Sequence, residues 1–285
     1  MAVLLDGRSL ACRIESRQER EVLKLKRAGI IPTLAVILVG NDSASQIYVS
    51  KKQEEGKRIG ISVKVFRYSK DMNTAGLISQ IEKLNSDKNI HGIIVQFPLP
   101  KKISQEKVIE AISPKKDVDG VHPLNWGMLA YKKTGLMPCT PAAVMELLRY
   151  YKIPIKGKEV VIVGKGVIVG KPLSILLLNE DATLTVAHKE TKNLKLHTKM
   201  ADILISAVGY PGLIKADMVK RNAVVVDVGI TRKRNKAVGD VDYKSVLKKV
   251  SYITPVPGGV GPVTVAMLLE NVIKIAKDIS IKPNI

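Results

Sequence analysis

Short runs rich in valine and isoleucine alternate along the chain with longer stretches in which apolar residues recur every three or four positions. The short runs predict strands buried on both faces of a sheet. They cover residues 34–39, 63–66, 92–95, 160–163, 182–186, 203–206 and 223–228. The amphipathic stretches predict helices at residues 9–28, 43–59, 74–84, 142–151, 173–179 and 263 to about 279. Such alternation is typical of an α/β fold in which helices cover a parallel sheet.

Two segments rich in proline and glycine divide this pattern, at residues 134–141 and 255–262. With 285 residues, the chain is also longer than one hydrophobic core usually supports. We therefore predict two α/β domains. Residues 1–138 plus 263–285 form a catalytic domain, and residues 139–262 form a Rossmann-like dinucleotide-binding domain. Substrate and cofactor would meet in the cleft between the two domains.

Glycines follow the predicted strand 160–163 at the point where a helix is expected to begin. Gly164, Gly166 and Gly170 have the spacing Gly-x-Gly-x-x-x-Gly, one residue longer than the usual dinucleotide fingerprint. A strand, a glycine turn and a helix N-terminus together bring backbone amides up to a phosphate. A purely structural turn is the alternative for this segment.

Basic residues follow the next predicted strand, at residues 182–186. An NAD site usually has an acidic residue here that binds the ribose hydroxyl. This chain has His188 and Lys189 instead, and Glu190 comes one position later. Basic groups suit the 2′-phosphate of NADP, so the sequence favours NADP, with NAD as the second choice. The alternative is that both basic side chains are only solvated.

A tyrosine and a lysine lie four residues apart on the predicted helix 43–59. Ser43 and Gln46 predict a capping box at its start, which places Tyr48 and Lys52 on one face. Such a pair can do acid–base chemistry if the lysine is desolvated and its pKa falls toward neutrality. The alternative is that both are solvated surface side chains without a part in any chemistry.

Three further segments carry candidate chemistry. The strand 92–95 ends in Gln96, and the carboxyl end of a parallel strand is where ligands bind in open α/β sheets. Asp117 and Asp119 lie beside the turn residue Gly120, where an Asx-type turn with solvated acids is the alternative. The glycines of residues 257–262 allow the backbone to approach a flat ligand or the other domain closely.

Composition and charge narrow the functional classes. Hydrophobic residues make up 46% and charged residues 25%, which excludes disordered, collagen-like and coiled-coil proteins. The 46 basic and 26 acidic residues give a net charge of +20. The basic residues are dispersed and aromatics make up only 4%, which argues against nucleic acid as the main partner and suits anionic small molecules.

The same composition bears on location and on metals. The apolar runs are far shorter than a bilayer span, and the first residues do not resemble a secretory signal. Cys12 and Cys139 lie far apart, and the histidines lack ligand spacing, so we expect a cytoplasmic protein without membrane contact or a metal.

Together the motifs resemble the bifunctional methylenetetrahydrofolate dehydrogenase/methenyltetrahydrofolate cyclohydrolase (FolD) family, and the resemblance spans nearly the whole chain in the family order. The matching segments are Tyr-x-x-x-Lys at 48–52, Val-Gln-Phe-Pro-Leu-Pro at 95–100, Lys-Asp-Val-Asp-Gly at 116–120, Pro-Cys-Thr-Pro at 138–141 and Pro-Val-Pro-Gly-Gly-Val-Gly-Pro at 255–262. The resemblance implies an enzyme that oxidises methylenetetrahydrofolate with NADP and hydrolyses the methenyl product to 10-formyltetrahydrofolate. It also implies that the catalytic domain binds the folate.

The resemblance also assigns roles to residues of the folate site. Lys52 would be the catalytic acid/base, Gln96 would bond its amine, Tyr48 would pack over the folate rings, and Asp119 would hold the pterin edge. The other residues expected to line the folate are Val95, Phe97, Pro257, Gly258, Gly259, Val260, Gly261 and Pro262.

On the cofactor side, the residues implied are Gly164, Lys165, Gly166, Val169, Gly170, Pro172, His188, Lys189 and Ile230. The family loop usually has arginine and serine where this chain has Lys165 and Gly166. This departure weakens the implied preference for NADP, although Lys165 keeps the charge and Lys189 adds a second cation.

The implied partners are tetrahydrofolate derivatives, in polyglutamylated form, and a second copy of the chain in a homodimer. Two other functions stay open from the residues alone. A protein of the same fold that has only one of the two activities would keep the motifs, and a non-enzymatic basic binding protein would explain only the charge.

Overall fold

A computed structural model describes residues 2–133, 135–233 and 236–281. Two compact units account for these residues. The three-stranded unit contains residues 13–128, 135–137 and 265–281, and the six-stranded unit contains residues 2–12, 129–133, 138–233 and 236–264. Each unit has its own parallel sheet.

The strands have the following bounds: β1 Val3–Leu4, β2 Thr33–Val39, β3 Ser62–Tyr68, β4 Gly92–Val95, β5 Glu159–Val163, β6 Thr183–Ala187, β7 Ile203–Ser206, β8 Val224–Asp227, β9 Thr231–Lys233, β10 Lys236–Val238 and β11 Tyr252–Ile253. The helices are α1 Gly7–Arg27, α2 Ser43–Ile59, α3 Thr74–Ser86, α4 Gln105–Ala111, α5 Pro123–Ala130, α6 Cys139–Tyr150, α7 Gly170–Asn179, α8 Leu194–Thr198, α9 Tyr243–Val246 and α10 Val260–Ile281.

The sheet of the three-stranded unit has the order β3-β2-β4, and both pairings are parallel. Every residue of β2 is buried, as expected for the central strand of a covered parallel sheet. Apolar side chains of α3 and α4 pack against this sheet around Leu77, Ile81 and Val108, all with 0% exposure. The sheet therefore holds the carboxyl ends of its strands rigidly.

The sheet of the six-stranded unit has the order β1-β11-β8-β7-β5-β6, and all its pairings are parallel. The chain adds β6 on one side of β5 and β7 on the other, so the strand order reverses at β5. A crevice that binds ligands forms at the carboxyl ends of the strands next to such a reversal. The antiparallel hairpin of β9 and β10 is separate from this sheet.

The predicted α/β class with parallel sheets is confirmed. Each predicted strand overlaps an observed one, and the bounds predicted for β4, β7 and α2 are those of the structure. Several short elements were not predicted, such as β1, β11, α8 and α9. The four or five residues of α8 and α9 are too few to show a helical period, and β1 and β11 are shorter than the four-residue apolar runs that predicted β4 and β7.

The predicted domain division differs from the compact units at residues 2–12, 129–133, 138 and 263–264. The prediction assigned residues 2–12 to the first domain, whereas β1 pairs with β11 and these residues group with the six-stranded sheet. Residues 265–281 group with residues 13–128. The division into 1–138 plus 263–285 and 139–262 stays a prediction.

No helix within the described ranges is long and apolar enough to cross a membrane. Across the same ranges, no three or more His, Cys, Asp or Glu side chains form a group that could hold a metal ion.

Candidate active site

Lys52 and Gln96 meet at the carboxyl end of β4. The Lys52 ammonium donates a hydrogen bond to Oε1 of Gln96 over 2.6 Å. Gln96 directly follows β4, and its backbone N–H donates to the carbonyl of Ile37 in β2 over 2.9 Å. Its Nε2 donates to the carbonyl of Phe97 over 2.8 Å, which directs Oε1 toward the amine. The expected contact between the two side chains is present, and their catalytic roles stay predictions.

Helix α2 places Lys52 about two and a half turns after its start at Ser43. The predicted capping box of Ser43 and Gln46 is wrong, because the carboxylate of Asp42 accepts the N–H of Ser45 over 2.7 Å and caps the helix. Tyr48 is 38% exposed one turn before Lys52, which is half-buried. The pair therefore faces a surface that a planar ligand could cover.

The segment of residues 116–120 runs beside β4. The backbone N–H of Ile93 donates to the carbonyl of Lys116 over 2.7 Å, and Ile93 pairs with Asp117 in a parallel bridge. Val95 lies two residues after Ile93 and is buried. Asp119 lies two residues after Asp117 in the parallel segment and is half-buried. Asp119 therefore lies toward the same sheet edge as Gln96.

Asp117 has a structural role. It is 1% exposed, and its carboxylate accepts hydrogen bonds from the N–H of Gly120 at 3.1 Å, the N–H of His122 at 2.8 Å and Nδ2 of Asn125 at 2.9 Å. Asp117 therefore forms the Asx-type turn of the alternative, but its carboxylate is buried and not solvated as that alternative expected. Of the two acids, Asp119 is left as the candidate for ligand binding.

Lys116 also supports the scaffold. Its ammonium donates to the carbonyl of Leu84 over 3.0 Å and to that of Asp87 over 2.7 Å, near the C-terminus of α3. Burial lowers the pKa of Lys116, and the Asp87 carboxylate partly opposes this shift. These contacts fix the segment that carries Asp119.

Two of the three glycines after β5 are required by close backbone approach. A Cβ on Gly164 would lie 2.4 Å from the carbonyl oxygen of Ala207, and a Cβ on Gly170 would lie 2.0 Å from the oxygen of Gly164. Nothing lies within 4 Å of a Cβ on Gly166.

Val169, at the N-cap of α7, makes no side-chain capping bond. Pro172, which is buried in the first turn, suits that position because its missing N–H would have no helical partner.

Exposed apolar side chains follow the carboxyl ends of β5, β7 and β8: Val167, Ile168, Val208, Tyr210 and Ile230. Their exposed fractions range from 40% to 64%. Exposed apolar side chains gathered on the loops at one sheet edge are a common mark of a ligand site. The predicted site residue Ile230 is one of them, and Lys165 is exposed beside them.

The basic residues after β6 are partly engaged. The backbone N–H of His188 donates to Oγ1 of Thr191 over 2.9 Å, and Nδ1 of His188 accepts the N–H of Glu190 at 3.3 Å. The Lys189 ammonium, on a side chain 87% exposed, lies 3.5 Å from a Glu190 carboxylate oxygen. An anion that approached Lys189 would therefore also meet the charge of Glu190.

The glycines of residues 257–262 permit a close approach within the six-stranded unit. A Cβ on Gly7 would lie 1.7 Å from the carbonyl oxygen of Gly259, and the N–H of Gly7 donates to the carbonyl of Gly258 over 2.9 Å. Gly258 has a φ of 113°, which only glycine adopts readily. That this loop lines a folate stays a prediction.

Sequence reasoning did not identify a pair of buried carboxylates in the six-stranded unit. Asp227, at the end of β8, is 3% exposed, and Asp240 is 0% exposed. Burial raises the pKa of Asp227 to about 6, because hydrogen bonds from the backbone N–H groups of Val241, Asp240 and Gly229 only partly offset the loss of solvation, and the nearby Asp240 carboxylate adds to the increase. The sequence does offer one sign of this carboxylate, because Asp227 ends a strand whose other residues are all apolar.

The shifted pKa of Asp227 predicts a pH-dependent stability. The folded protein holds this proton more tightly than the unfolded chain does between pH 3.8 and about 6. The contribution of Asp227 to the free energy of unfolding is therefore fully present below pH 3.8 and is lost as the pH rises through 6. We expect the difference in unfolding free energy between the parent and Asp227→Asn, measured by urea titration, to fall by up to about 3 kcal/mol across this window. A constant difference would contradict the prediction.

These features define a two-unit α/β protein, with a parallel sheet whose strand order reverses at β5 in one unit and a lysine–glutamine pair at the carboxyl end of a strand in the other. Two family models match the chain. The catalytic domain of tetrahydrofolate dehydrogenase/cyclohydrolase matches residues 5–119, and its NAD(P)-binding domain matches residues 138–280. The chain belongs to the tetrahydrofolate dehydrogenase/cyclohydrolase family.

Individual relatives agree with the family models. The bifunctional protein FolD of Nautilia profundicola is 50% identical over 276 residues, which cover 96% of this chain and 97% of the relative. The crystal structure of the bifunctional FolD enzyme of Campylobacter jejuni has a TM-score of 0.96 at 47% identity and covers 98% of this chain and 99% of its own. The Trypanosoma brucei FolD, in a complex with NADP and an inhibitor, has a TM-score of 0.94 at 38% identity, with 99% of each chain covered.

The predicted family is therefore confirmed, and with it an enzyme that combines a dehydrogenase and a cyclohydrolase activity on tetrahydrofolate derivatives. The comparisons give no support to a protein with a single activity or to a basic binding protein.

Proposed function

We propose that this enzyme oxidises 5,10-methylenetetrahydrofolate to the 5,10-methenyl form with NADP, and that Lys52 then drives hydrolysis to 10-formyltetrahydrofolate. The observation that carries the proposal is the 2.6 Å hydrogen bond from Lys52 to Gln96 at the carboxyl end of β4, one helical turn from Tyr48. Both residues lie in the segment that the catalytic-domain model matches.

In the oxidation, the one-carbon bridge loses a hydride and becomes a cationic methenyl group. NADP, when bound, accepts this hydride. A protonated Lys52 beside the carbon would oppose the developing positive charge, so its amine must be neutral or turned away during this step. The Gln96 amide suits this requirement because its oxygen can accept a hydrogen bond from either protonation state of the amine.

In the hydrolysis, water adds to the methenyl carbon and a carbon–oxygen bond forms. Lys52 takes a proton from the attacking water as a general base. The bond between that carbon and N5 then breaks, Lys52 returns a proton to N5, and the formyl group stays on N10. Water contributes the formyl oxygen, and the positive charge of the substrate leaves as one proton.

The folate itself would be held by the neighbouring side chains. We assign contact with the ring system to Tyr48 and Phe97. The Asp119 carboxylate would accept hydrogen bonds from the polar edge of the pterin, and the backbone of Val95 would approach the folate closely. A carboxylate suits the pterin edge because that edge presents N–H donors, and charge-assisted hydrogen bonds are the stronger ones.

Replacing Asp119 with alanine is expected to weaken folate binding. The loss of one charge-assisted hydrogen bond is worth roughly 1.5–3 kcal/mol, so the KM for folate should increase about ten- to hundredfold. The matched control is Asp71→Ala, which removes an exposed carboxylate from the same unit. Steady-state kinetics of both activities test this, and an unchanged KM together with unchanged turnover would rule out the assigned role.

The cofactor site fits NADP better than NAD. The tight turn at Gly164 and Gly170 allows the backbone close to a pyrophosphate, and the strand β6 ends without the carboxylate that a ribose hydroxyl needs. Lys165 and Lys189 supply positive charge for a 2′-phosphate, but each acts as a point charge without the two-pronged geometry of arginine. Glu190 beside Lys189 reduces the attraction further.

We therefore expect kcat/KM to favour NADP over NAD in the parent, and the NADP/NAD ratio to fall about tenfold or more in Lys165→Ala and Lys189→Ala. The control is Lys192→Ala, which removes an exposed lysine of the same segment. The measurement uses both cofactors at saturating folate. Equal use of NAD by the parent, or a ratio that neither variant moves, would contradict this assignment.

Three broader assignments complete the proposal. Polyglutamylated folates are suited by the net charge of +20. A homodimer is the assembly that the family resemblance implies. A reducing cytoplasm is consistent with a chain whose two cysteines are far apart in sequence, Cys12 being exposed and Cys139 buried.

A further inference from the structure

Asp240 ties together the loop that follows β7. Its carboxylate accepts three hydrogen bonds from that loop: Oγ of Ser206 at 2.9 Å, the N–H of Val208 at 2.8 Å and the N–H of Tyr210 at 2.8 Å. Ser206 is the last residue of β7, so these bonds hold the first turn of chain after the strand. A charged acceptor that binds two backbone N–H groups fixes the path of the backbone.

Asp227 in turn holds the segment that carries Asp240. Its carboxylate accepts the N–H of Asp240 over 3.0 Å and the N–H of Val241 over 2.9 Å, and it also accepts the N–H of Gly229 in its own loop over 3.1 Å. The fit is tight, since a Cβ on Gly229 would lie 2.1 Å from the Asp240 carboxylate and a Cβ on Gly239 would lie 2.0 Å from Oδ2 of Asp227. The two carboxylates thus link the loops after β7 and β8.

The strand order shows which half of a dinucleotide these loops face. The order β8-β7-β5-β6 reverses at β5. In such a sheet the glycine loop after the first strand takes the pyrophosphate and the end of the second strand takes the adenosine ribose. These are the loops after β5 and β6 here, so the nicotinamide half falls to the loops after β7 and β8. Val208, Tyr210 and Ile230 are exposed on those loops.

We propose that Asp240, supported by Asp227, is a positioning residue for hydride transfer, because it holds the loop of residues 207–210 where the nicotinamide ring must lie. The inference rests on the proposed function, because it presupposes hydride transfer to NADP. It assigns a task to residues that neither the acid–base step nor the phosphate site uses. Asp240 does not touch the reacting atoms and acts through the backbone of Val208 and Tyr210.

A carboxylate is needed for this task because both of its oxygens accept hydrogen bonds. In the structure Oδ2 accepts hydrogen bonds from the Ser206 hydroxyl and the Val208 N–H, and Oδ1 accepts one from the Tyr210 N–H. Asparagine has a similar shape, but one of its two terminal groups is an NH₂ that cannot accept. In Asp240→Asn, either Val208 or Tyr210 would point its N–H at another donor, and the loop would shift.

The test compares the two activities of the whole enzyme in Asp240→Asn. A misplacement of about 1 Å can cost a hundredfold in rate, so we expect kcat for oxidation at saturating NADP to fall about a hundredfold. A substrate deuterated at its one-carbon bridge should show a larger primary kinetic isotope effect, since hydride transfer becomes the slow step. Hydrolysis of added methenyltetrahydrofolate, which needs no cofactor, should stay at the parental rate.

The matched control is Asp242→Asn, which removes the same charge two residues away. Asp242 is exposed and makes no side-chain capping bond to α9. It should leave both activities and the isotope effect unchanged. If Asp240→Asn does not fold, Ser206→Ala serves as the second variant, because it removes one of the three bonds to Asp240 and should reduce the oxidation alone by a smaller factor.

The outcomes separate this inference from the proposed function. The variant that decides is Asp240→Asn, or Ser206→Ala if Asp240→Asn does not fold. If the parent is active and this variant keeps the parental oxidation rate and isotope effect, the positioning role is contradicted. An equal loss of oxidation and hydrolysis in that variant also contradicts it, since the role would then be purely structural. A parent that does not oxidise methylenetetrahydrofolate would instead contradict the proposed function.

Discussion

Lys52→Met is expected to abolish hydrolysis of methenyltetrahydrofolate while the protein stays folded. Loss of a general acid/base commonly costs two to four orders of magnitude, so the rate should fall about 10²- to 10⁴-fold. Methionine is of similar length and fills the same half-buried space without an amine. Gln96 loses its contact with the ammonium but keeps its own bonds to Phe97 and Ile37, so the sheet edge should persist.

The matched control for this variant is Lys51→Met, which changes the adjacent, exposed lysine of α2 in the same way. Hydrolysis is measured by the loss of methenyl absorbance, and folding by circular dichroism and thermal unfolding. If Lys52→Met hydrolysed the substrate at the parental rate, Lys52 would be a surface residue with no part in the chemistry.

Gly170→Ala is expected to impair the oxidation selectively, through a higher KM for NADP, and to lower the free energy of unfolding. Its Cβ would lie 2.0 Å from the carbonyl oxygen of Gly164, so the glycine loop would have to move. Overpacking of this kind costs about 1–3 kcal/mol, which outweighs the gain of up to about 1 kcal/mol that alanine brings to a helix. A displaced loop no longer presents its backbone to the pyrophosphate, so the KM for NADP should increase.

Gly166→Ala is the control, because nothing lies within 4 Å of a Cβ at that position. Its unfolding free energy should match that of the parent. Chemical unfolding and the kinetics of both activities distinguish the two variants. Gly170→Ala with parental stability and parental KM for NADP would show that the loop tolerates a side chain and does not shape the cofactor site.

Much of the fold could be predicted because β2, β4, β7 and β8 are buried along their whole length. A continuous apolar run such as that of β2 has no stable place except inside a covered sheet. The start of α2 was also predicted, although its cap is Asp42 rather than Ser43. Both residues are good capping residues, and only the backbone shows which one lies at the N-cap.

The parts that could not be predicted depend on contacts distant in sequence. By residue type and spacing alone Asp117 and Asp119 look equivalent, and the N–H groups that surround Asp117 in the structure show that it is structural. The pairing of β1 with β11 joins residues some 250 positions apart, and the bonds from the β7 loop to Asp240 join residues 30 to 34 apart. No local period or motif carries such information.

The central claim, two successive reactions in one chain, is tested most directly with the purified protein and methylenetetrahydrofolate. The reaction is run with NADP and, separately, with NAD, and both the methenyl absorbance and the formyl product are followed. We expect a transient methenyl signal followed by 10-formyltetrahydrofolate, with NADP the better cofactor and the formyl product lost in Lys52→Met. Reduction of neither cofactor, or a methenyl product that accumulates and hydrolyses no faster than it does without enzyme, would contradict the account.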